Sequence, residues 1–145
     1  MSLLTPMLRS SPLTDWFSDA QRVQGMLDFE AALAQAQAAC GIVPPEAVGP
    51  IVAACRHDAI DFAALGEAAV GAGNLAIPLV KQLTAQVKAQ DPEAARYVHW
   101  GATSQDAIDT GLVLQLRGAL DAAETLLEQL LAALALQADR YRDTV

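Results

Sequence analysis

The segment from Ser104 to the C-terminus constrains the fold of this chain more than any other feature, because it predicts one very long amphipathic helix. Apolar residues recur there at three- and four-residue steps, which is the spacing of one helical face. Gly111 costs about 1 kcal/mol relative to Ala in an exposed helix, and we interpret it as a site of close packing rather than a stop. The apolar positions are Ile108, Leu112, Leu116, Leu120, Ala123, Leu127, Leu131 and Leu134.

A helix of this length needs packing partners. About forty residues at ~1.5 Å each give roughly 60 Å, which is more than residues 1–100 could cover. The stripe is therefore expected to pack against identical subunits, against a further part of a longer protein, or against both. We expect both.

The rest of the chain also predicts helices, so the expected fold class is all-α. Just over half of the 145 residues are apolar, and Ala and Leu dominate. Capping and breaking residues divide residues 18–89 into four helices. These are expected from Ser18, with Gln21 completing a capping box, to Gly41; from Pro45 to about Cys55; from Asp58 or Asp61 towards Val70; and from about Ile77 to Ala89. Residues 1–17 show no clear period and predict an irregular arm that packs through Leu8, Leu13, Trp16 and Phe17.

Composition excludes several classes of partner. The formal charge of −8 and the pI near 4.5 disfavour nucleic acid and acidic membrane surfaces, since both require a basic stripe. Neither a membrane-spanning run nor a secretion signal is evident, so we expect a cytoplasmic protein. Cys40 and Cys55 form no metal motif and are expected to be free thiols rather than a disulfide.

The stretch before the long helix carries the polar groups of a candidate anion site. His99 and Gly101 are followed by Thr103 and Ser104, so two hydroxyl groups would meet the positive end of a helix dipole. Such a place suits a carboxylate. The alternative is that Ser104 merely caps the helix, with Asp106 and Asp109 complementing its dipole and His99 serving as a structural residue beside Trp100.

A second candidate loop lies at Gly71–Asn74. The amide of Asn74 can donate to a carboxylate oxygen, and the flanking glycines allow close approach of a ligand. The competing interpretation is a plain turn between helices with Asn74 in a left-handed conformation. Lys81 and Arg96 are candidate cations of such a site, although a solvated surface role is at least as good an interpretation.

The residues before and at the start of the long helix form the motif Gly101-Ala-Thr-Ser-Gln-Asp-x-x-Asp-Thr110, with a histidine two positions before the glycine. This motif is similar to the first signature region of the fumarase/aspartase superfamily, and within that superfamily the sequence resembles the 3-carboxy-cis,cis-muconate cycloisomerases. The resemblance spans nearly the whole chain. It also runs through residues 17–19, 27–34, 41–44, 73–81, 96–99 and 110–117.

This resemblance implies a fold, a reaction and a set of site residues. It implies a bundle of very long helices that assembles as a tetramer, and lactonisation of a tricarboxylate substrate to 4-carboxymuconolactone in the protocatechuate branch of the β-ketoadipate pathway. His99 and Ser104 would be catalytic, and Asn74, Thr103, Ser104 and Gln105 would bind substrate. Asp106 and Asp109 would organise the loop. No metal and no organic cofactor is implied.

The expected organisation is a helical domain over residues 1–100, followed over residues 101–145 by the signature loop and the start of the central bundle. Two further signature regions of the superfamily are not in this sequence, so the general acid/base is expected beyond Val145. Two alternatives remain open: a related lyase such as adenylosuccinate lyase, and a non-catalytic helical oligomerisation module.

Overall fold

The computed structural model describes residues 11–144, and within that range the chain is all-α, as predicted. Its α-helices are α1 (Asp19–Ala39), α2 (Pro45–Ala54), α3 (Phe62–Ala72), α4 (Ala76–Gln90) and α5 (Ser104–Arg140). Short 3₁₀ segments lie at Pro12–Phe17, His57–Ala59 and Ala94–Tyr97. The four shorter helices and the long one fall where capping residues and periodicity place them.

The helix boundaries follow from side-chain caps and glycines. The Ser18 hydroxyl accepts a hydrogen bond from the backbone N–H of Gln21 at 3.3 Å. The Asp61 carboxylate accepts from the N–H of Ala64 at 3.0 Å, which makes Asp61 rather than Asp58 the cap of α3. Gly41 and Gly73 take φ values of 72° and 74° just after α1 and α3, a conformation that favours glycine.

The hydrophobic core lies between α1 and the shorter helices. Leu27 of α1 and Leu83 of α4 are completely buried, and each helix contributes apolar residues to one continuous cluster. Burying side chains of this size stabilises the fold by about 1.5–3 kcal/mol each. The largest fully buried side chains are Leu27, Ile51, Leu65, Leu79, Leu83, Val23, Val43 and Val87.

The first half of α5 packs against α1 through small residues. A methyl group built on Gly25 would lie 2.9 Å from the carbonyl oxygen of Gly111, so the two helix backbones touch at this crossing. This contact confirms the interpretation of Gly111 as a site of close packing. The buried positions of α5 are Ala107, Gly111, Gln115 and Ala119, spaced four residues apart.

The leucine stripe of α5 is left uncovered. Leu120, Leu127 and Leu131 are 67%, 64% and 69% exposed, and no position of α5 after Ala119 is buried. Ile108, at the start of the stripe, packs against the core. Within the described residues, the leucines of the stripe from Leu120 onwards have no apolar surface to pack against, as the length of the helix predicted. The proposed division of the chain at residue 100 stays a prediction.

The N-terminal arm is more regular than expected, because residues 12–17 form a 3₁₀ helix. Trp16 lies directly over Gly118 of α5, and its carbonyl accepts a hydrogen bond from Gln115 Nε2 at 2.7 Å. Phe17, expected to pack, is 43% exposed. Leu8 falls outside the described residues.

Both cysteines are free thiols, as predicted. Cys40 is exposed and Cys55 is buried. Among the described helices, none combines the length and the hydropathy that crossing a membrane requires.

Candidate functional site

A tight turn leads the chain into α5. His99 has φ 57°, a left-handed conformation uncommon for a residue other than glycine, and Gly101 has φ 70°. The N–H of Ala102 donates to the His99 carbonyl at 3.4 Å, and Gln37 Nε2 of α1 donates to the Trp100 carbonyl at 2.6 Å. The Gln37 hydrogen bond therefore holds the turn against α1. Backbone strain of this kind is frequent at functional sites.

Thr103 and Asp106 form the cap of α5. One carboxylate oxygen of Asp106 accepts from the backbone N–H of Thr103 at 2.8 Å and from its hydroxyl at 3.0 Å. These hydrogen bonds, together with the nearby His99, lower the pKa of Asp106. Asp106 thus organises the loop, as expected. Thr103 can donate its hydroxyl to a ligand only when that hydroxyl turns away from Asp106.

Ser104 is the first residue of α5, whereas Thr103 is its N-cap. The cap therefore lies one residue earlier than the alternative placed it. The Ser104 side chain is half-buried, and within residues 11–144 its hydroxyl has no hydrogen-bond partner. The next residue, Gln105, is exposed and donates its amide to Asp109 at 2.5 Å. The Ser104 hydroxyl and the N–H groups of the first turn remain as donors for an anion.

Glu30 of α1 contacts the turn before α5, although the sequence alone predicts a structural role for this residue. Its carboxylate is 2% exposed, and Oε1 lies 2.6 Å from Nδ1 of His99. Desolvation raises the pKa of Glu30, while the imidazole beside it acts in the opposite direction. A sequence signal existed: Leu27, Glu30 and Ala34 share the buried face of α1, so a charge stands where an apolar residue is expected.

Asn74 lies just before α4. Its Oδ1 accepts from the N–H of Ile77 at 3.1 Å, which leaves its amide N–H₂ free to donate. The left-handed residue of the loop is Gly73 and not Asn74, so that detail of the competing interpretation is wrong. A cavity of about 250 Å³ is lined by Asn74, Arg22 and residues of α5 from Ile108 onwards. His99 and Ser104 do not line it.

Of the two interpretations of Lys81 and Arg96, the structure agrees with the solvated surface role. Arg96 is exposed and pairs with Glu93 at 3.3 Å, so it faces solvent rather than the site. Lys81 is exposed as well. Arg22 is the basic residue that lines the Asn74 cavity. In residues 11–144 no cluster of three or more His, Cys, Asp or Glu side chains could hold a metal ion.

Comparisons with known proteins identify the family. A family model described as Lyase matches residues 8–145. The chain is 55% identical to the 3-carboxy-cis,cis-muconate cycloisomerase of Bradyrhizobium diazoefficiens, over 98% of this chain and 32% of that protein. It is 60% identical to the enzyme of the same name from Pseudomonas aeruginosa, over 93% of this chain and 29% of that protein.

A solved structure agrees with these sequences. The 3-carboxy-cis,cis-muconate lactonizing enzyme from Pseudomonas putida superposes with a TM-score of 0.91 at 54% identity, covering 94% of this chain and 32% of that one. The chain thus spans about a third of the length of the relatives it matches. It belongs to the Lyase family, within the fumarase/aspartase superfamily.

Proposed function

We propose that the complete protein containing this chain is a cycloisomerase that converts 3-carboxy-cis,cis-muconate to 4-carboxymuconolactone. One substrate carboxylate adds to a carbon–carbon double bond within the same molecule, and a proton is delivered to the neighbouring carbon. The observation that carries this proposal is the 55–60% identity, over nearly all of the chain, to proteins named for that reaction.

The turn before α5 supplies the donors that this chemistry needs. Negative charge builds up next to a substrate carboxylate as the ring closes, and fixed donors at that place lower the barrier. We assign this task to the Ser104 hydroxyl, the N–H groups of the first turn of α5 and His99. Thr103 and Gln105 lie beside them as further candidates, each after release from its aspartate.

Asn74 is proposed to bind a different part of the substrate. Its cavity reaches α5 at Ile108, about one helical turn beyond Ser104. A tricarboxylate carries negative charge at three separate positions. The Asn74 amide, with the Arg22 guanidinium in the same cavity, could bind a carboxylate other than the one at Ser104. The general acid/base and the remaining donors are proposed to come from the two thirds of the relatives' length that this chain does not span.

We further propose that the protein acts in the cytoplasm, in aromatic catabolism, as a homotetramer without a cofactor. Support for self-association comes from the exposed stripe of α5, because large apolar patches on soluble proteins mark interaction sites.

The experiment is a lactonisation assay of the complete protein. Ring closure removes the conjugated diene, so loss of its absorbance follows the reaction directly. We expect turnover of 3-carboxy-cis,cis-muconate and none of adenylosuccinate, tested in parallel. Cleavage of adenylosuccinate without any reaction of the muconate would replace this proposal with the related lyase activity.

A further inference from the structure

A buried carboxylate in this chain has too few partners for a purely structural role. Moving an ionised carboxylate out of water is costly unless charge or hydrogen bonds compensate. Glu30 is 2% exposed, and within the described residues its side chain contacts a single polar partner, Nδ1 of His99. Its second oxygen, Oε2, is buried without a hydrogen-bond partner. The cost of burying the Glu30 carboxylate is therefore offset by His99.

The pairing dictates what the other imidazole nitrogen can do. With one proton shared by the pair, Nδ1–H donates to the carboxylate and Nε2 carries a bare lone pair. With two protons, Nε2 carries a hydrogen whether the second proton resides on the ring or on Glu30. An ionised Glu30 lacking a second partner is best stabilised by a positive ring, so it favours the form in which Nε2–H is a donor.

The same helix also fixes the backbone of His99. Glu30 and Gln37 are seven residues apart on α1, two turns along one face, and they bind the His99 ring and the Trp100 carbonyl respectively. A residue other than glycine is strained in the left-handed conformation, and it persists there only where its surroundings hold it. Both contacts hold this turn in its strained form.

We propose that Glu30 is a positioning residue for His99: it anchors Nδ1 and keeps a proton on Nε2, which then donates to a carboxylate of the bound substrate. The inference rests on the proposed function for the identity of that substrate. It extends the site from the signature loop to α1, and it gives a chemical role to a residue buried among the core side chains of that helix.

The other titratable groups near the pair do not provide this proton. Asp106, at the start of α5, has a lowered pKa and stays anionic. Cys55 lies at the end of α2, and burial raises the pKa of its thiol to about 12, with the negative charges of Glu30 and Asp28 adding to the effect. Asp106 and Cys55 keep one charge state across the neutral range. An effect of replacing Glu30 on activity or reactivity is therefore due to the Glu30–His99 pair.

The first test is a double-mutant cycle in the complete protein. Glu30→Gln preserves size and a hydrogen-bond acceptor but removes the charge. It should lower kcat/KM by about 10- to 100-fold, the size of effect seen when the carboxylate partner of a metal-bound histidine is lost. His99→Asn keeps a donor towards Glu30 and removes Nε2. In that background, Glu30→Gln should have little further effect. Glu46→Gln, at an exposed site on α2, is the matched control and should match wild type.

The cycle separates a positioning role from a structural one. If Glu30→Gln lowers kcat/KM by the same factor in both backgrounds, Glu30 acts on the fold and the proposal is overturned. Full activity of Glu30→Gln in the wild-type background would overturn it equally.

A second readout does not depend on turnover. Diethyl pyrocarbonate modifies the unprotonated imidazole, and peptide mass spectrometry resolves His99 from His57, whose Nδ1 faces the neutral amide of Gln24 at 3.0 Å. We expect Glu30→Gln to speed modification of His99 several-fold near pH 7 while His57 is unchanged. An unchanged rate at His99 would refute the role of Glu30, whereas a wild-type protein inactive on the muconate would refute only the proposed function.

Discussion

Replacing Gly25 with Ala tests the contact that seats α5 on α1. A methyl group at Gly25 would lie 2.9 Å from the carbonyl oxygen of Gly111 and 3.0 Å from its Cα, and both atoms belong to a helix backbone that cannot rotate away. The two helices must therefore move apart by a few tenths of an ångström. Overpacking of this kind costs about 1–3 kcal/mol.

The helix propensity of alanine offsets part of this cost, so a matched substitution is needed. Ala is favoured over Gly by about 1 kcal/mol inside a helix. Gly66 lies in α3 with open space around the position of its missing Cβ, so Gly66→Ala gains this propensity without a clash. The difference between the two variants isolates the packing cost and should be about 1–3 kcal/mol in the free energy of unfolding.

Urea unfolding of the complete protein measures this difference. We expect Gly66→Ala to be at least as stable as wild type and Gly25→Ala to unfold at a lower urea concentration. Equal midpoints for the two variants would show that α1 and α5 do not touch at this crossing.

Three further predictions follow from exposed and capping residues. The complete protein should sediment as an oligomer, and Leu127→Glu with Leu131→Glu should dissociate it; a wild-type monomer at micromolar concentration would contradict the proposed role of the stripe. Because the pKa of Asp106 lies below its ordinary 3.8 in the folded state, its contribution to stability is complete above pH 3.8 and declines as the pH falls through the lowered value. Asp106→Asn should therefore lower the urea midpoint at pH 7, and the difference in midpoint from wild type should become smaller in acid. A difference that does not change with pH would show that the charge of Asp106 does not stabilise the cap. A thiol reagent at pH 8 should label exposed Cys40 quickly and Cys55, whose pKa is raised to about 12 by burial, hardly at all; similar labelling rates would contradict the burial of Cys55.

The helices could be predicted from the sequence because their signals are local. Ser18 and Asp61 satisfy N–H groups within three residues, and Gly41 marks the end of α1 through its own φ. The N-terminal arm was harder to predict because a short 3₁₀ helix has a weak periodic signal. In addition, the position of Trp16 depends on its contact with Gly118, about a hundred residues away in sequence.

The site was only partly predictable, for a related reason. The order of Thr103, Ser104 and Asp106 is a local pattern that predicted a cap at this helix start, although the cap is Thr103 rather than Ser104. The bond between Glu30 and His99 joins residues 69 positions apart, and it depends on how α1 packs under the turn. Arg22 and Asn74 likewise share a cavity only through packing, which no spacing along the chain reveals.

The assignment of the turn before α5 as the carboxylate site is tested most directly by kcat/KM of the complete protein for 3-carboxy-cis,cis-muconate, compared between wild type and Ser104→Ala. Loss of one preorganised donor to the developing negative charge should cost about 2–4 kcal/mol, or roughly 30- to 1000-fold in kcat/KM. His99→Ala should be at least as damaging. We expect this loss with the fold unchanged. Normal turnover by both variants would contradict the assignment of this turn as the carboxylate site.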